Sequence, residues 1–266
     1  MWKVSLLVTT YNVKENLKIT LDSIEQQDYA SIEVVIVDGQ SRDGTLDVIR
    51  AFAAKYGEKG DLVRGTACEA VEERKASSSL IVKWVSEPDL GLYDAMNKAW
   101  RMCSGDIVAV CNDRLCVPDA ITKLVRAIEE AGDGCIGSHA DLVYVDGERV
   151  VRTWHMGEGR LAEGWLPGHP TLFLKREVYE KYGVYDTGYK CAADYEFMVR
   201  FLKDERNRLA YVPETLVSMF YGGTSNAGLQ NYLVSFREGY AALKRHGVRH
   251  PLLITLRRTL RVLGQF

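Results

Sequence analysis

The sequence predicts an α/β protein: a mainly parallel sheet covered by helices, followed by a mixed second half. Three observations carry that prediction. Short β-branched runs alternate with segments of helical spacing, which is the pattern of a parallel sheet buried on both faces. The runs end in polar clusters, where open parallel sheets bind ligands. The later chain then switches to alternating strands around a hairpin turn.

Val4–Val8 and Ile32–Val37 are short, apolar and closed by polar residues, so they read as buried strands. Between them Leu17, Leu21 and Ile24 recur at helical spacing, and Leu46, Ile49 and Ala53 repeat the pattern after the second strand. Ile81–Val85 is a third strand, Leu92–Cys103 a helix and Ile107–Cys111 a fourth strand. Residues 57–80 interrupt the rhythm; they are mostly polar and read as a surface excursion, with room for a short helix at Glu69–Lys75. DLVYVDGERVVRTW places two alternating runs around Asp146-Gly147, a hairpin signal. Thr171–Leu174 reads as a further strand, and Ala193–Leu202 and Leu229–Leu243 as helices. No Pro/Gly-rich linker separates the halves, so one continuous domain is expected.

Composition bounds the function. The 266 residues, 47% hydrophobic and 26% charged, suit a soluble globular chain. A net charge of −2 gives no reason to expect nucleic acid as a partner. The six cysteines have no CxxC or zinc spacing, as expected of reduced cytoplasmic thiols. The apolar run at the start is too short for a signal peptide or a membrane span.

Three strand ends carry polar clusters: Thr9-Thr10-Tyr11-Asn12, the stretch from Asp38 to Thr45, and Asn112-Asp113-Arg114. One such Asp is as readily a turn or helix-cap residue, and Asp43, in Asp-Gly-Thr before a helix, reads as structural. Three clusters on one sheet point to a shared ligand crevice.

VTTYN, VDGQSRDGT, SEPDLGLYDAMNKAW and HPTLFLKREVYEKYGVYDTGYKCAADYEF stand in the order found in family 2 inverting glycosyltransferases. The chain resembles that family over about residues 3–220. Members of that family that it resembles build bacterial polysaccharides and lipid-linked glycans. The resemblance implies the glycosyltransferase A fold, a Rossmann-like sheet joined to an acceptor-binding half. It implies one domain over 1–220, with a nucleotide-sugar half at 1–115 and an acceptor and catalytic half at 116–220, then a basic helical extension at 221–266.

The same resemblance assigns roles. Thr9 and Tyr11 line the nucleotide pocket, and Asp38 hydrogen-bonds the base or ribose of a nucleoside-diphosphate sugar, of UDP type. Asp94 accepts from sugar hydroxyls, unless it only favours the first turn of its helix. Lys98 either offsets phosphate charge or is solvated. In CNDRLC, Asn112 and Asp113 take the first and middle places of the family's acidic motif, and Arg114 stands where a metal-binding acid is usual. Mg²⁺ or Mn²⁺ accepts water and diphosphate oxygens for most of its ligands, so Asp113 can serve as the protein's metal ligand. Arg114 can instead meet the diphosphate by bidentate hydrogen bonds.

Asp194, in CAADYEF, occupies the family's catalytic-base position. Inversion is a direct displacement, so a carboxylate must take the acceptor's proton on the face opposite the diphosphate. Glu196, two residues on, points away from Asp194; it either positions a substrate or bonds within the fold. His169 can donate to phosphate or acceptor, or be structural, and Trp165 can stack on a sugar or simply pack.

From Gly239 onward there are six Lys/Arg (Lys244, Arg245, Arg249, Arg257, Arg258, Arg261) and no acid. LLITLRRTLRVL mixes apolar and basic positions as a helix on an anionic membrane surface does, or as one packed on protein. Membrane contact would suit a lipid-linked acceptor and a peripheral place at the inner face of the plasma membrane. Two rival readings stand beside transfer: a nucleotidyltransferase, disfavoured because TTYNVKEN is not a Gly-rich basic phosphate loop, and a catalytically silent nucleotide-sugar or glycan-binding protein.

Overall fold

The structure is a computed structural model that describes residues 1–56, 80–220 and 228–263. The surface excursion expected at 57–80, with its short helix, lies outside the described residues except for Leu80. The chain divides into two compact units, Met1–Thr122 and Lys123–Phe266.

The first unit contains the predicted alternation. Its strands are β1 (Val4–Thr10), β2 (Ile32–Asp38), β3 (Ile81–Ser86), β4 (Ile107–Val110) and the two-residue β5 (Arg114–Leu115). Between them run α1 (Lys14–Glu25), α2 (Thr45–Tyr56) and α3 (Leu92–Met102). β3, β2, β1 and β4 lie side by side, all parallel. Every residue of β1, β2 and β4 is buried. That is why these strands read as unbroken apolar runs rather than alternating ones.

Glu33 is buried within β2 at the edge of that core. It accepts from Ser5 Oγ at 2.5 Å and from Ser104 N at 2.7 Å, and Lys83 Nζ lies 2.7 Å away. Burial alone would raise its pKa; the bonds from Lys83, Ser5 and Ser104 outweigh burial and hold it at about 2.

α4 (Ala120–Ala131) leads into the second unit. There β6 (Cys135–Asp146) is the organising strand. It turns through Gly147, at φ 60°, into antiparallel β7 (Arg149–Trp154), the predicted hairpin. β8 (Phe173–Lys175) pairs antiparallel with the first half of β6, and β9 (Arg208–Phe220) runs parallel to it. The strand expected at Thr171 starts two residues later, because His169–Thr171 forms a 3-10 turn with Pro170 in it. α5 (Arg176–Tyr182), α6 (Ala193–Leu202), α7 (Gly228–Arg245) and α8 (Pro251–Leu263) complete the unit. Tyr195, Val199, Ala242, Leu243 and Ile254 from α6, α7 and α8 share one core.

The five described cysteines, Cys103, Cys111, Cys116, Cys135 and Cys191, are free thiols.

Candidate active site

In-register parallel strands set equivalent side chains in a row. Thr10, Asp38 and Ser86 are such a row across β1, β2 and β3. Asp38 is fully buried, and its carboxylate is used up by its own fold. Oδ1 accepts from Thr10 Oγ1 at 3.0 Å and Ser41 Oγ at 2.5 Å. Oδ2 accepts from Ser41 N at 3.0 Å and Ser86 Oγ at 2.6 Å. Its side chain ties three strand ends together, and the contact with a base or ribose expected of it finds no exposed oxygen in this structure.

Around that buried knot the loops are pinned to each other. Asn12 and Gln40 leave β1 and β2 in the left-handed region, at φ 52° and 63°. Asn12 N donates to Ser41 Oγ at 2.8 Å, and Arg42 N donates to Asn12 Oδ1 at 2.8 Å. Asp43 is structural, as predicted: it accepts from Thr45 N and Oγ1 at 3.0 and 2.6 Å and from Lys14 N at 3.1 Å. The bond from Thr45 leads the effects that hold its carboxyl at about 2. Thr9 and Asn112 clamp the ends of β1 and β4. Thr9 N donates to Asn112 Oδ1 at 2.8 Å, and Asn112 Nδ2 donates to Thr9 Oγ1 at 2.8 Å.

What stays open at these ends is Tyr11, 65% exposed, next to Asp89. A side chain at Gly39 would meet Asp89 Oδ2 at 2.6 Å and Tyr11 Cδ2 at 3.3 Å, so Gly39 lets the ring and the carboxylate converge. Asp89 is not among the candidates the sequence pattern singles out. The signal was present: SEPD is a fourth polar strand end, of the same kind as the other three.

Asp94 accepts from Leu90 N at 3.0 Å in the first turn of α3. Lys98 does not reach outward. Its Nζ donates to Pro88 O at 2.6 Å and sits 3.0 Å from Glu87 and 3.5 Å from Asp94. Burial works against its charge, but Glu87 and Asp94 prevail and hold it above the ordinary lysine range. Lys98 is thus held by the β3–α3 loop and by Glu87 and Asp94, rather than solvated.

In CNDRLC, Asp113 is half-buried and Arg114 exposed, while Leu115, next along β5, is buried. The strand's alternation therefore turns the guanidinium outward. Cys111 is buried; burial, with the Asp113 charge second, pushes its thiol up to about 12, which removes it as a thiolate ligand. Among the described residues no group of three His, Cys, Asp or Glu could hold a metal ion. A single carboxylate fits only a cation that brings its remaining oxygen ligands with it, as one bound to a diphosphate does.

The second unit positions Asp194 in the first turn of α6, half-buried, with Oδ1 accepting from Tyr195 N at 2.8 Å. His169 lies within its electrostatic reach. Burial pushes the imidazole pKa down, against the pull of the Asp194 charge. Its Nε2 is 2.8 Å from the Tyr185 hydroxyl, which is 3.1 Å from that of Tyr179. His169, at the end of a chain of two tyrosine hydroxyls, thus shares the electrostatic field of the acid.

The loop entering α6 is held from α7. Glu238 accepts from Lys190 N, Cys191 N and Ala192 N at 2.9, 2.9 and 3.0 Å. Sequence reasoning missed Glu238, because an acid on an amphipathic helix gives no sign of three amides waiting for it.

Glu196 and Trp165 turn into the fold. Glu196 is buried, with Oε1 2.5 Å from His246 Nε2 and Oε2 3.1 Å from Arg200. Trp165 is buried and donates to Met156 O at 3.0 Å. Both hydrogen-bond within the fold. Trp165 lines a cavity of about 1030 Å³ along with His139, Arg160, Leu202 and Val248, and Asp194 is not part of its wall.

The sequence matches the family described as glycosyl transferase family 2 over residues 5–193. The chain belongs to that family. The match ends one residue before Asp194, so the acid rests on the motif around it and on its place in α6. A "PGL/p-HBAD biosynthesis glycosyltransferase" of Mycobacterium bovis is 28% identical over 233 residues, covering 84% of this chain and 78% of that protein. A dolichol-phosphate mannosyltransferase of Pyrococcus furiosus is 29% identical over 150 residues, covering 56% of this chain and 35% of its own length. Among solved structures, S. aureus TarS 1-349 in complex with UDP-GlcNAc superposes with a TM-score of 0.67 at 18% identity, over 98% of this chain and 73% of that one. The mannosyltransferase PcManGT from Pyrobaculum calidifontis, in complex with GDP-Man and Mn2+, gives 0.60 at 18% identity, over 99% and 74%. The fold is thus that of the glycosyltransferase A class, and the protein is a glycosyltransferase.

Proposed function

We propose that this glycosyltransferase works with inversion, moving a sugar from a nucleoside-diphosphate donor, of UDP type, to a hydroxyl of a glycan or lipid-linked acceptor. The observation that carries the reading is Asp194, the carboxylate set in the first turn of α6 with part of its surface open and with His169 in its electrostatic field. Asp194 takes the acceptor proton as the oxygen attacks the anomeric carbon. The bond to the diphosphate breaks on the opposite face, and no covalent enzyme intermediate forms. His169, held by Tyr185, orients acceptor or phosphate. The donor's nucleotide lies against Tyr11 and Asp89, over the strand ends that Asp38 fastens, with Thr9 and Asn112 forming the pocket floor and Asp94 meeting the sugar.

Asp113 would hold Mg²⁺ or Mn²⁺ carried by the diphosphate; when bound, the ion supplies positive charge to the leaving group. Residues 1–220 form the working domain in this reading, with 1–115 taking the donor and 116–220 the acceptor. The basic helices beyond it bring the enzyme to the inner face of a membrane. Support for the donor class comes from TarS, solved with UDP-GlcNAc, and support for the acceptor class from the names of the mycobacterial and dolichol-phosphate relatives.

The decisive experiment is titration with UDP-, GDP- and dTDP-sugars, followed by donor turnover with an acceptor panel and determination of the anomeric configuration of the product. A product that keeps the donor's configuration would overturn the mechanism. Tight donor binding with no turnover on any acceptor would favour a silent nucleotide-sugar-binding protein, the reading that the single carboxylate of CNDR supports.

A further inference from the structure

α8 has two unlike faces. Inward, Ile254 and Thr255 are buried, and the Arg258 guanidinium lies over the Tyr195 ring at 4.2 Å. Tyr195 is the residue after Asp194, so α8 is seated on the first turn of the helix that carries the proposed base. Outward, at helical spacing, stand Leu252, Leu253, Leu256 and Leu260, exposed by 55, 45, 46 and 65%. At 100° per residue these four span about a quarter-turn in the middle of the outer face, and exposed Arg257 and Arg261 follow along one flank.

A row of four exposed leucines is not an ordinary solvated surface. Its charge says what covers it. From Gly239 to Phe266 there is no Asp or Glu, and the exposed cations Lys244, Arg249, Arg257 and Arg261 share that segment. A second copy docked through the same face would bring arginine against arginine. An anionic lipid surface satisfies both features, with acyl chains for the leucines and headgroup phosphates for the guanidinium groups. As described, the 13 residues of α8 rise about 20 Å, short of the roughly 30 Å hydrocarbon core, and among the described residues no helix is long and apolar enough to cross a membrane.

We propose that the outer face of α8 docks into an anionic membrane surface, with Leu252, Leu253, Leu256 and Leu260 inserted among the acyl chains and Arg261 on the headgroups, while Arg257 keeps its bond to Ala162 O. Because the inner face is locked on the Asp194 turn, docking brings the base to the surface on which a lipid-linked acceptor resides. This last step rests on the transfer reading proposed above; the docking itself does not.

The test is flotation of the full chain with vesicles of phosphatidylcholine alone and of phosphatidylcholine with 30% phosphatidylglycerol, a composition on the order of a strongly anionic bilayer. Wild type is expected to float with the anionic vesicles only, and less as salt rises. Leu256→Glu/Leu260→Glu is expected to weaken binding at least about tenfold, and Arg249→Gln/Arg261→Gln to weaken it while flattening the salt dependence. Both variants should keep the wild-type melting temperature and nucleotide affinity. Failure of wild type to float overturns the proposal, as does undiminished binding by the leucine variant. So does a dimer in solution that the leucine variant splits without any vesicle binding. Flotation needs no donor, and donor turnover on a soluble acceptor needs no vesicle, so failure of the transfer reading shows separately.

Discussion

Asp38 and Asp194 look alike in the sequence: each is an acid at the edge of a secondary-structure element, inside a family motif. The structure separates them. Asp38 has four donors from Thr10, Ser41 and Ser86 and no exposed surface. Asp194 keeps part of its surface, and the support lies behind it, in the Glu238 carboxylate that holds the backbone of residues 190–192. The contrast teaches that a carboxylate saturated by its own fold is scaffold. One that keeps exposed surface, on a loop positioned through its backbone, can meet a substrate.

Substitutions can break this contrast, and the largest effect is expected at Asp194. Asp194→Asn keeps the shape and removes the base, so transfer should fall about 10²–10⁴-fold. Donor affinity measured by calorimetry should stay within about twofold, since the proposed donor contacts lie elsewhere. Near-normal turnover would move the base to another residue.

Next comes the CNDR acid. EDTA should abolish transfer and Mn²⁺ restore it, and Asp113→Ala should lose on the order of 10²-fold in turnover. Arg114→Ala should lose much less, because its side chain is exposed beyond the strand. Full activity in EDTA together with a crippled Arg114→Ala would reverse the assignment.

Asp38→Ala tests the scaffold side. It strands buried hydroxyl and amide donors, and should cost about 2–5 kcal/mol in denaturant unfolding. Nucleotide affinity of the folded fraction should change less than about threefold. A large affinity loss at unchanged stability would restore Asp38 to the binding site.

Glu238→Gln keeps the size and weakens three charge-assisted bonds, at about 1–3 kcal/mol. Turnover should fall about tenfold with the donor KM unchanged, the split expected of a residue that positions the Asp194 turn.

The smallest effect is a control far from the acids of the site. Glu33 is held at about 2 in the fold, against 4.5 ordinarily. Its stabilisation is therefore complete above pH 4.5 and is lost as pH falls from there towards 2. Glu33→Gln should flatten the pH dependence of the melting temperature over that window and leave catalysis untouched.

Much of the fold was legible because burial on both faces leaves a direct trace. β1, β2 and β4 are apolar throughout, and the α6 boundaries follow from the apolar run after Ala192-Ala193. β9 was not legible: Arg208–Phe220 alternates weakly and owes its length to pairing with β6. α5 was hidden too, because a helix of seven residues is too short to show a clear helical period.

The sequence by itself determined the alternating parallel half, the hairpin at Asp146-Gly147, the family, and which acids stand at element ends. Those are matters of residue type, spacing and order, which survive without coordinates. Only the tertiary structure decided what each acid is for. Whether a carboxylate meets its own fold's donors depends on strand register and on helices distant in the chain: Ser86 reaches Asp38 from 48 residues away, Glu238 reaches Ala192 from 46, and Arg258 of α8 lies over the Tyr195 ring. Local sequence cannot record such partners, because hydrogen bonds and burial are settled by distance in space.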